Sequence, residues 1–377
     1  DPVGQGGGTM KYLFVNVTAG AGSTGQLVLK AARELQAAGN TCLLAYGREA
    51  KGCGDVKTLA IGTRLDHNLH ALRHRIFGTG GFGSYAATKA FLTRVREYDP
   101  DVIWLHNLHG YYIHLGLLFD YLRRCGKPVI WTLHDCWAFT GNCPYFTYAG
   151  CEKWRTGCGG CPQRRLYPSC ALDATRENYR RKKALFTGIP QLTLQVPSQW
   201  LGDLVSQSFL KDYPLQVVPN QADPSVFHPT ASSLRQEYGL EDKFLVLGAA
   251  NVWEPRKGLA DFVALSSLLP ESCRIVLIGI PESLKRTLPE HILALPRTHD
   301  QRELAQWYTA ADVYVSPSVE ETFGMTVLEA ALCGTTPLVY RGTACQEVAQ
   351  AQGGILADRG PEHLAKAILQ LQKEKTK

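Results

Sequence analysis

Two series of short apolar runs alternate with amphipathic stretches along this 377-residue chain. In the first, KYLFVNV (11–17), TCLLAYG (41–47), DVIWLHN (101–107), PVIWTLHD (128–135) and QLTLQVPS (191–198) read as strands. Between them, QLVLKAARELQAAGN has helical spacing with Gly39 as its stop, and ATRENYRRKKALF reads as a basic helix. The second series holds FLVLGAAN (244–251), RIVLIGI (274–280), ADVYVSPS (311–318) and TPLVYR (336–341), again with helices between. Each series predicts a parallel sheet covered by helices on both faces. The expected fold class is therefore α/β, with two Rossmann-like, doubly wound domains. LQVVPNQADPSVFHPT, rich in proline and turn residues, separates them. The expected domains are 10–220 and 221–377. Residues 1–9, DPVGQGGGT, precede Met10 without any period and read as a remnant of cloning. Ligands of such sheets bind beyond the carboxyl ends of the strands, and two facing sheets make a cleft.

GAGSTG (20–25) lies between the first strand and the first helix with the spacing G-x-G-x-x-G. A dinucleotide site places an acid about 20 residues further on, at the end of the second strand. Here that corner is Tyr46-Gly47-Arg48, with Glu49 one step into the loop. Arg48 as a partner for a 2′-phosphate keeps an NADP-dependent oxidoreductase as an alternative. The physical content of the loop is broader, because a glycine-rich turn and a helix N-terminus suit any phosphate.

The second half carries a more specific pattern. In SVEETFGMTVLEAALCGTTPLV, Glu321 precedes a predicted helix and Glu329 lies inside it, spaced E-x7-E. Thr322 to Thr326 sit at the helix entrance, where N–H groups without helical partners and the macrodipole attract an anion. Carboxylates on either side of a phosphate-binding helix start suit a sugar nucleotide.

Charge and cysteine sharpen this picture. The net +6 divides into about +11 for residues 1–197 and about −5 for the rest. This asymmetry points to an anionic partner for the first half. No helix-turn-helix, finger or RNP pattern favours nucleic acid. No apolar run reaches the ~18 residues of a membrane span, and no secretory leader is visible. Of twelve cysteines, six fall between Cys136 and Cys170. Without a leader, a reducing cytoplasmic compartment fits them better than a disulfide scaffold. Cys143, Cys151, Cys158 and Cys161, spaced C-x7-C-x6-C-x2-C, could close a tetrahedral structural zinc site, with Cys136 and Cys170 as substitutes. Unliganded or oxidised cysteines are the alternative. Residues 136–170 have no period and read as a large inserted loop with little core of its own.

GSTG, HNLHGYY, TLHDCWAFTGNC, PNQAD-x-x-x-F-x-P, EPRKG and E-x7-E together resemble the family-4 glycosyltransferases, whose GT-B fold has two Rossmann-like domains facing across a cleft. CPYFTYAGCEKWRTGCGGCP looks like a subset of bacterial enzymes of capsular, O-antigen or colanic-acid-type polysaccharide synthesis. The resemblance implies a retaining, metal-independent hexosyltransferase that uses a UDP- or GDP-sugar donor and a glycan or polyprenyl-diphosphate-linked acceptor. No DxD-type motif is present where a catalytic metal would be held.

By that resemblance Lys257, helped by Arg256, neutralises the diphosphate leaving group. Many members carry an arginine six residues before this lysine, where this chain has Asn251. More then falls on Lys257, on the amides of Gly324 to Thr326, and on Gly22 and Ser23. Glu321 would meet the donor sugar, with Glu320 the other candidate, and Glu329 the ribose. Phe323, Gly324, Met325 and Thr326 would line the donor site, and Arg297 and Thr298 would meet the base. His134 would approach the reacting centre, with Asp135 orienting it or holding acceptor. His109 and Tyr111 would line the acceptor side, together with Gly110 and Tyr112. Basic runs at 73–75, 123–124 and 180–183 imply peripheral contact with an anionic membrane at its cytoplasmic face. The chain stops soon after LAKAILQLQKEKTK, before the final helix usual in the family, which reads as a truncated or shortened member. A non-catalytic, zinc-stabilised sugar-nucleotide-binding protein is the remaining alternative.

Overall fold

The structure, a computed structural model, describes residues 8–375. Most of the expected cloning remnant lies outside the described residues. The chain divides into two units, the first ending at Val218 and the second beginning at Pro219.

The first unit is built on seven parallel strands: β1 (Lys11–Ala19), β2 (Thr41–Ala50), β3 (Lys57–Ala60), β4 (Val102–Leu105), β5 (Val129–Thr132), β6 (Leu192–Val196) and β7 (Leu215–Val217). Their order is β3-β2-β1-β4-β5-β6-β7. Leu13 on β1 pairs with Leu43 on one side and Ile103 on the other, so β1 is central. Its successive side chains point to opposite faces. Leu13 and Val15 enter one core, Tyr12 and Phe14 the other. A strand buried on both faces reads as a near-continuous apolar run, which is why YLFV in β1 shows no alternation.

The second unit repeats the plan with β8 (Phe244–Ala249), β9 (Cys273–Ile278), β10 (Ile292–Leu295), β11 (Val313–Ser316), β12 (Thr336–Tyr340) and β13 (Ile355–Ala357), in the order β10-β9-β8-β11-β12-β13. Leu245 and Leu247 face one core, Phe244 and Val246 the other. In each sheet the direction of strand addition reverses once, between β1 and β4 and between β8 and β11. Loops leaving such a pair splay to opposite faces and open a crevice at the carboxyl ends. Four helices matter below: α1 (Gly22–Ala37), α2 (Arg64–Phe77), α3 (Thr175–Phe186) and α4 (Met325–Leu332).

Two features differ from the sequence reading. The 136–170 insertion has an aromatic core after all. Phe139, Phe146 and Trp154 are buried, with ring centroids 5.6 Å apart for Phe139–Trp154 and 4.8 Å for Phe146–Trp154. These rings join the main core of the first unit. Second, the basic run at 180–183 on α3 is solvated only at Arg180 and Lys183. Lys182 is buried and donates to the carbonyls of Trp137 (2.7 Å) and Thr140 (3.1 Å). Arg181 lies 3.4 Å from the Phe82 ring centroid, and Arg180 pairs with Glu177 at 2.8 Å.

Candidate functional site

The crevice of the second sheet is flanked by the loops after β8 and β11. The first ends in a short 3-10 turn, Pro255–Lys257, and the second leads into α4. Arg256 ties the two together. Its Nε donates to Glu254 Oε2 (2.9 Å) and its Nη1 to the Glu320 carbonyl (2.8 Å), while Val319 N–H donates to the Arg256 carbonyl (2.9 Å). Gly258 completes the turn at φ +75°, and a Cβ there would fall 2.4 Å from the Pro317 carbonyl oxygen. EPRKG thus needs its glycine for close approach of the loops.

Glu321 meets both cations of this motif. Its Oε1 pairs with the Lys257 ammonium and lies 3.3 Å from Arg256 Nη1. Burial alone would push this carboxyl up, but Lys257 and Arg256 outweigh it and hold it below the usual carboxylate range. Glu320 is fully buried, so the side chain turned to Lys257 is that of Glu321.

Gly324 caps α4 at φ +100°, with Cys345 Sγ 2.7 Å from where a Cβ would stand. The N–H groups of Met325 and Thr326 open the helix and have no carbonyl to bond within it. Phe323 is buried in the core beneath them. One turn into α4, buried Glu329 accepts from Tyr308 Oη at 3.1 Å. Burial pushes its carboxyl up to about 7, against a smaller lowering by the tyrosine bond. Arg297 and Thr298 follow the edge strand β10, with Arg297 exposed.

The crevice of the first sheet is lined by β1, β4 and β5. Asn107 N–H donates to Asn16 Oδ1 (3.1 Å) and Asn107 Nδ2 to Thr24 Oγ1 (3.4 Å), joining the end of β4 to GSTG. Gly22 and Ser23 form the first turn of α1. His106 Nδ1 stands 3.0 Å from His134 Nε2, with the rings stacked at 5.3 Å. His106 Nε2 is buried and has no partner. A lone pair is cheaper to leave unpaired in the interior than an N–H, which assigns the shared proton to His106 Nδ1. His134 Nε2 then accepts, and its Nδ1 carries the proton. Burial pushes the His134 imidazole down to about 4, so it is neutral at pH 7.

Asp135 turns to His109. Its Oδ2 lies 2.8 Å from His109 Nε2, and its Oδ1 accepts from Trp137 N–H at 2.8 Å. Burial raises this carboxyl, but the His109 charge and these bonds hold it below its ordinary value. Tyr111, at φ +66°, packs beneath the Arg48 guanidinium (5.5 Å), and Arg48 Nε donates to the Gly110 carbonyl at 2.6 Å. Arg48 therefore serves the HGYY loop, and the oxidoreductase alternative loses the residue it leaned on. His106 and Tyr308 escaped the sequence reading. The signal for His106 was its place directly after β4, the neighbour of the strand β5 that leads to His134.

Cys143, Cys151, Cys158 and Cys161 all line one small pocket of about 20 Å³, and all are reduced. Gly141 N–H points at Cys158 Sγ at 3.2 Å. Among the described residues, no three of these side chains, or of any His, Cys, Asp or Glu, are drawn into metal-holding geometry.

Residues 241–374 match the family model described as glycosyl transferases group 1. A putative colanic acid biosynthesis glycosyl transferase, WcaC, of Escherichia coli is 33% identical over 136 residues, 34% of this chain and 33% of that protein. An alpha-galactosylglucosyldiacylglycerol synthase of Streptococcus pneumoniae is 30% identical over 192 residues, 47% and 50% of the two chains. These matches span a third to a half of the relatives' length. Among solved structures, sucrose-phosphate synthase of Thermosynechococcus elongatus superposes with a TM-score of 0.70 at 17% identity, covering 97% of this chain and 90% of the other. Residues 241–374 therefore carry the group 1 glycosyl transferase pattern, and the two parallel sheets have the GT-B fold.

Proposed function

We propose that the chain is a retaining, metal-independent glycosyltransferase. It moves a sugar from a UDP- or GDP-sugar to a glycan or polyprenyl-diphosphate-linked acceptor in bacterial surface polysaccharide synthesis. The observation that carries this reading is the Lys257–Glu321 pair beside the start of α4, at the strand-order reversal of the second sheet. As the glycosidic bond breaks, charge builds on the departing β-phosphate. Lys257 and the first-turn N–H groups of α4 are fixed before that charge appears, so they need not reorganise. Glu321, held ionised, accepts from sugar hydroxyls, and Glu329 from the ribose. In this reading His134 serves the reacting centre, and the His109–Asp135 pair holds the acceptor. The names of the two relatives, one concerned with colanic acid and one with a glycolipid, support an acceptor at the cell surface pathway or in lipid. No helix among the described residues is long and apolar enough to cross a membrane, and peripheral attachment at the cytoplasmic face is part of the proposal.

Thermal unfolding against UDP, GDP, ADP, their sugar conjugates and NADPH tests the reading. One nucleoside diphosphate and its sugars should stabilise by about 2.7 kcal/mol at a hundredfold excess over Kd. Stabilisation by NADPH alone would overturn it.

The reading includes a structural zinc at Cys143, Cys151, Cys158 and Cys161. Four sulfurs around one pocket suit it, although they would have to close in to ligate. Four thiolates leave no open position, so the metal would stiffen the insertion without entering the reaction. We expect about one zinc per chain by atomic emission, lost together with several degrees of melting temperature in Cys158→Ser. A metal-free chain that is indifferent to chelator would remove this part.

A further inference from the structure

Helix α2 is amphipathic with its faces reversed. It starts at a Thr63–Asp66 capping box and stops at Gly78 in the left-handed region. Its buried residues are His67, His70 and His74. His67 Nε2 bonds the Ile61 carbonyl (2.8 Å), Gly83 N–H donates to His70 Nε2 (3.1 Å), and His74 Nε2 reaches the Pro168 carbonyl (3.3 Å). The apolar residues face out. Leu65 is 67% exposed, Leu69 58%, Leu72 54% and Ile76 43%. Positions 65, 69, 72 and 76 repeat at i, i+4, i+7 and i+11, which makes one continuous stripe.

The insertion extends the stripe. Ala171 N–H donates to the Arg75 carbonyl (2.7 Å) and Leu172 N–H to the Ile76 carbonyl (3.0 Å), fastening 166–172 alongside the end of α2. That segment exposes Leu166, Tyr167 and Leu172. Monomeric surfaces rarely gather apolar side chains in this way without a purpose.

The charges around the stripe select the partner. Arg64, Arg73, Arg75 and Arg165 are exposed at its rim. The only acid from 61 to 96 is Asp66, and its carboxylate is spent on Thr63 N–H (2.7 Å). Beside the stripe opens a pocket of about 470 Å³ lined by Arg48, Asn68, Leu72, Arg75, Tyr111 and Tyr167. An exposed leucine row edged by arginines, next to a basic and aromatic pocket, matches a bilayer with anionic headgroups: acyl boundary for the leucines, phosphates for the arginines.

We propose that the outward face of α2, continued by residues 166–172, docks on an anionic lipid bilayer and sets the Arg48–Arg75 pocket at headgroup depth. The docking itself is independent of sugar transfer. The use of the pocket for a lipid-carried phosphate acceptor rests on the function proposed above. This surface, and not the 180–183 run, is then the membrane-facing part of the first unit.

The test is co-sedimentation of the full chain with vesicles of phosphatidylcholine and phosphatidylglycerol, against phosphatidylcholine alone. The unaltered chain should bind the mixed vesicles and release in high salt. Leu65→Ser/Leu69→Ser/Leu72→Ser should lower binding about tenfold or more, since the apolar area inserted sets the strength. Arg64→Glu/Arg73→Glu should abolish the preference for phosphatidylglycerol. Leu268→Ser, at an exposed leucine of the second unit, should change nothing. These positions are on the surface, so an unchanged melting curve certifies each variant. Equal binding by the triple variant overturns the proposal. So does a chain that ignores vesicles, or one that is dimeric until the three leucines are replaced, which would make the stripe a contact between copies. Nucleotide binding is measured separately, so a failed transferase reading leaves this result standing.

Discussion

Replacing Lys257 by alanine should lower kcat/KM for sugar transfer by about 10²–10³, the usual cost of removing one preorganised donor to developing charge. The loss should fall mainly on kcat, because the β-phosphate gains charge only as the bond breaks. The fold should survive. Lys257 is partly exposed, and Arg256 remains 3.3 Å from Glu321 to partner its carboxylate. Arg256→Ala makes the contrast. It would strip partners from Glu254, from the Glu320 carbonyl and from Glu321, and breaking so buried an arrangement costs about 3–5 kcal/mol of stability. Activity lost with an intact melting curve for the lysine, and stability lost for the arginine, separates chemistry from scaffolding. An unchanged kcat/KM in Lys257→Ala would sink the assignment of the leaving-group site.

Glu329→Gln should make the protein more stable above neutral pH while weakening nucleotide binding. The sign follows from burial. The folded-state value is raised to about 7 from an ordinary 4.5. Below the ordinary value both states hold the proton and no penalty exists. Between the two values the unfolded chain ionises while the folded one does not, so stability falls as pH rises. Above about 7 the native carboxylate is ionised and buried. Its cost reaches about 3 kcal/mol, from 1.36 kcal/mol per pKa unit. Glutamine keeps an acceptor for Tyr308 Oη without this cost. At pH 8 the variant should therefore melt higher than the parent, and at pH 4 the two should coincide. Donor affinity moves the other way, because a neutral amide is a weaker acceptor for ribose hydroxyls than a carboxylate. A variant that melts lower than the parent at pH 8 would contradict the burial argument.

The strands at the centre of both sheets were legible, since double burial leaves an unbroken apolar run such as FLVLGAAN. The short strands at or near the sheet edges were not. KTLA of β3 and LQV of β7 are half exposed and carry no such run. Glu321 and Glu329 were legible from spacing and from the helix start between them. What could not be read was which way a side chain turns. A run of four cations at 180–183 looks solvated until α3 is placed against Trp137 and Phe82, where Lys182 and Arg181 are absorbed. LDHNLHALRHRIF shows helical spacing, but ordinary expectation puts its leucines inside and its histidines outside. Backbone carbonyls and N–H groups waiting at Ile61, Gly83 and Pro168 reverse that choice. The core of the insertion was invisible for a related reason: Phe139, Phe146 and Trp154 follow no period, and only the folded loop brings them together.

Each unit keeps its own pair of hydrophobic cores, and among the described residues none belongs to the cores of both. Heat therefore has two objects to melt, and a calorimetric trace should resolve into two endotherms, each variant being read on the peak of its own unit. The endotherms also tell the ligands apart. On the function proposed above, a nucleoside diphosphate held at Lys257 and α4 should displace the peak of the unit that begins at Pro219. A ligand of α2 should displace the other.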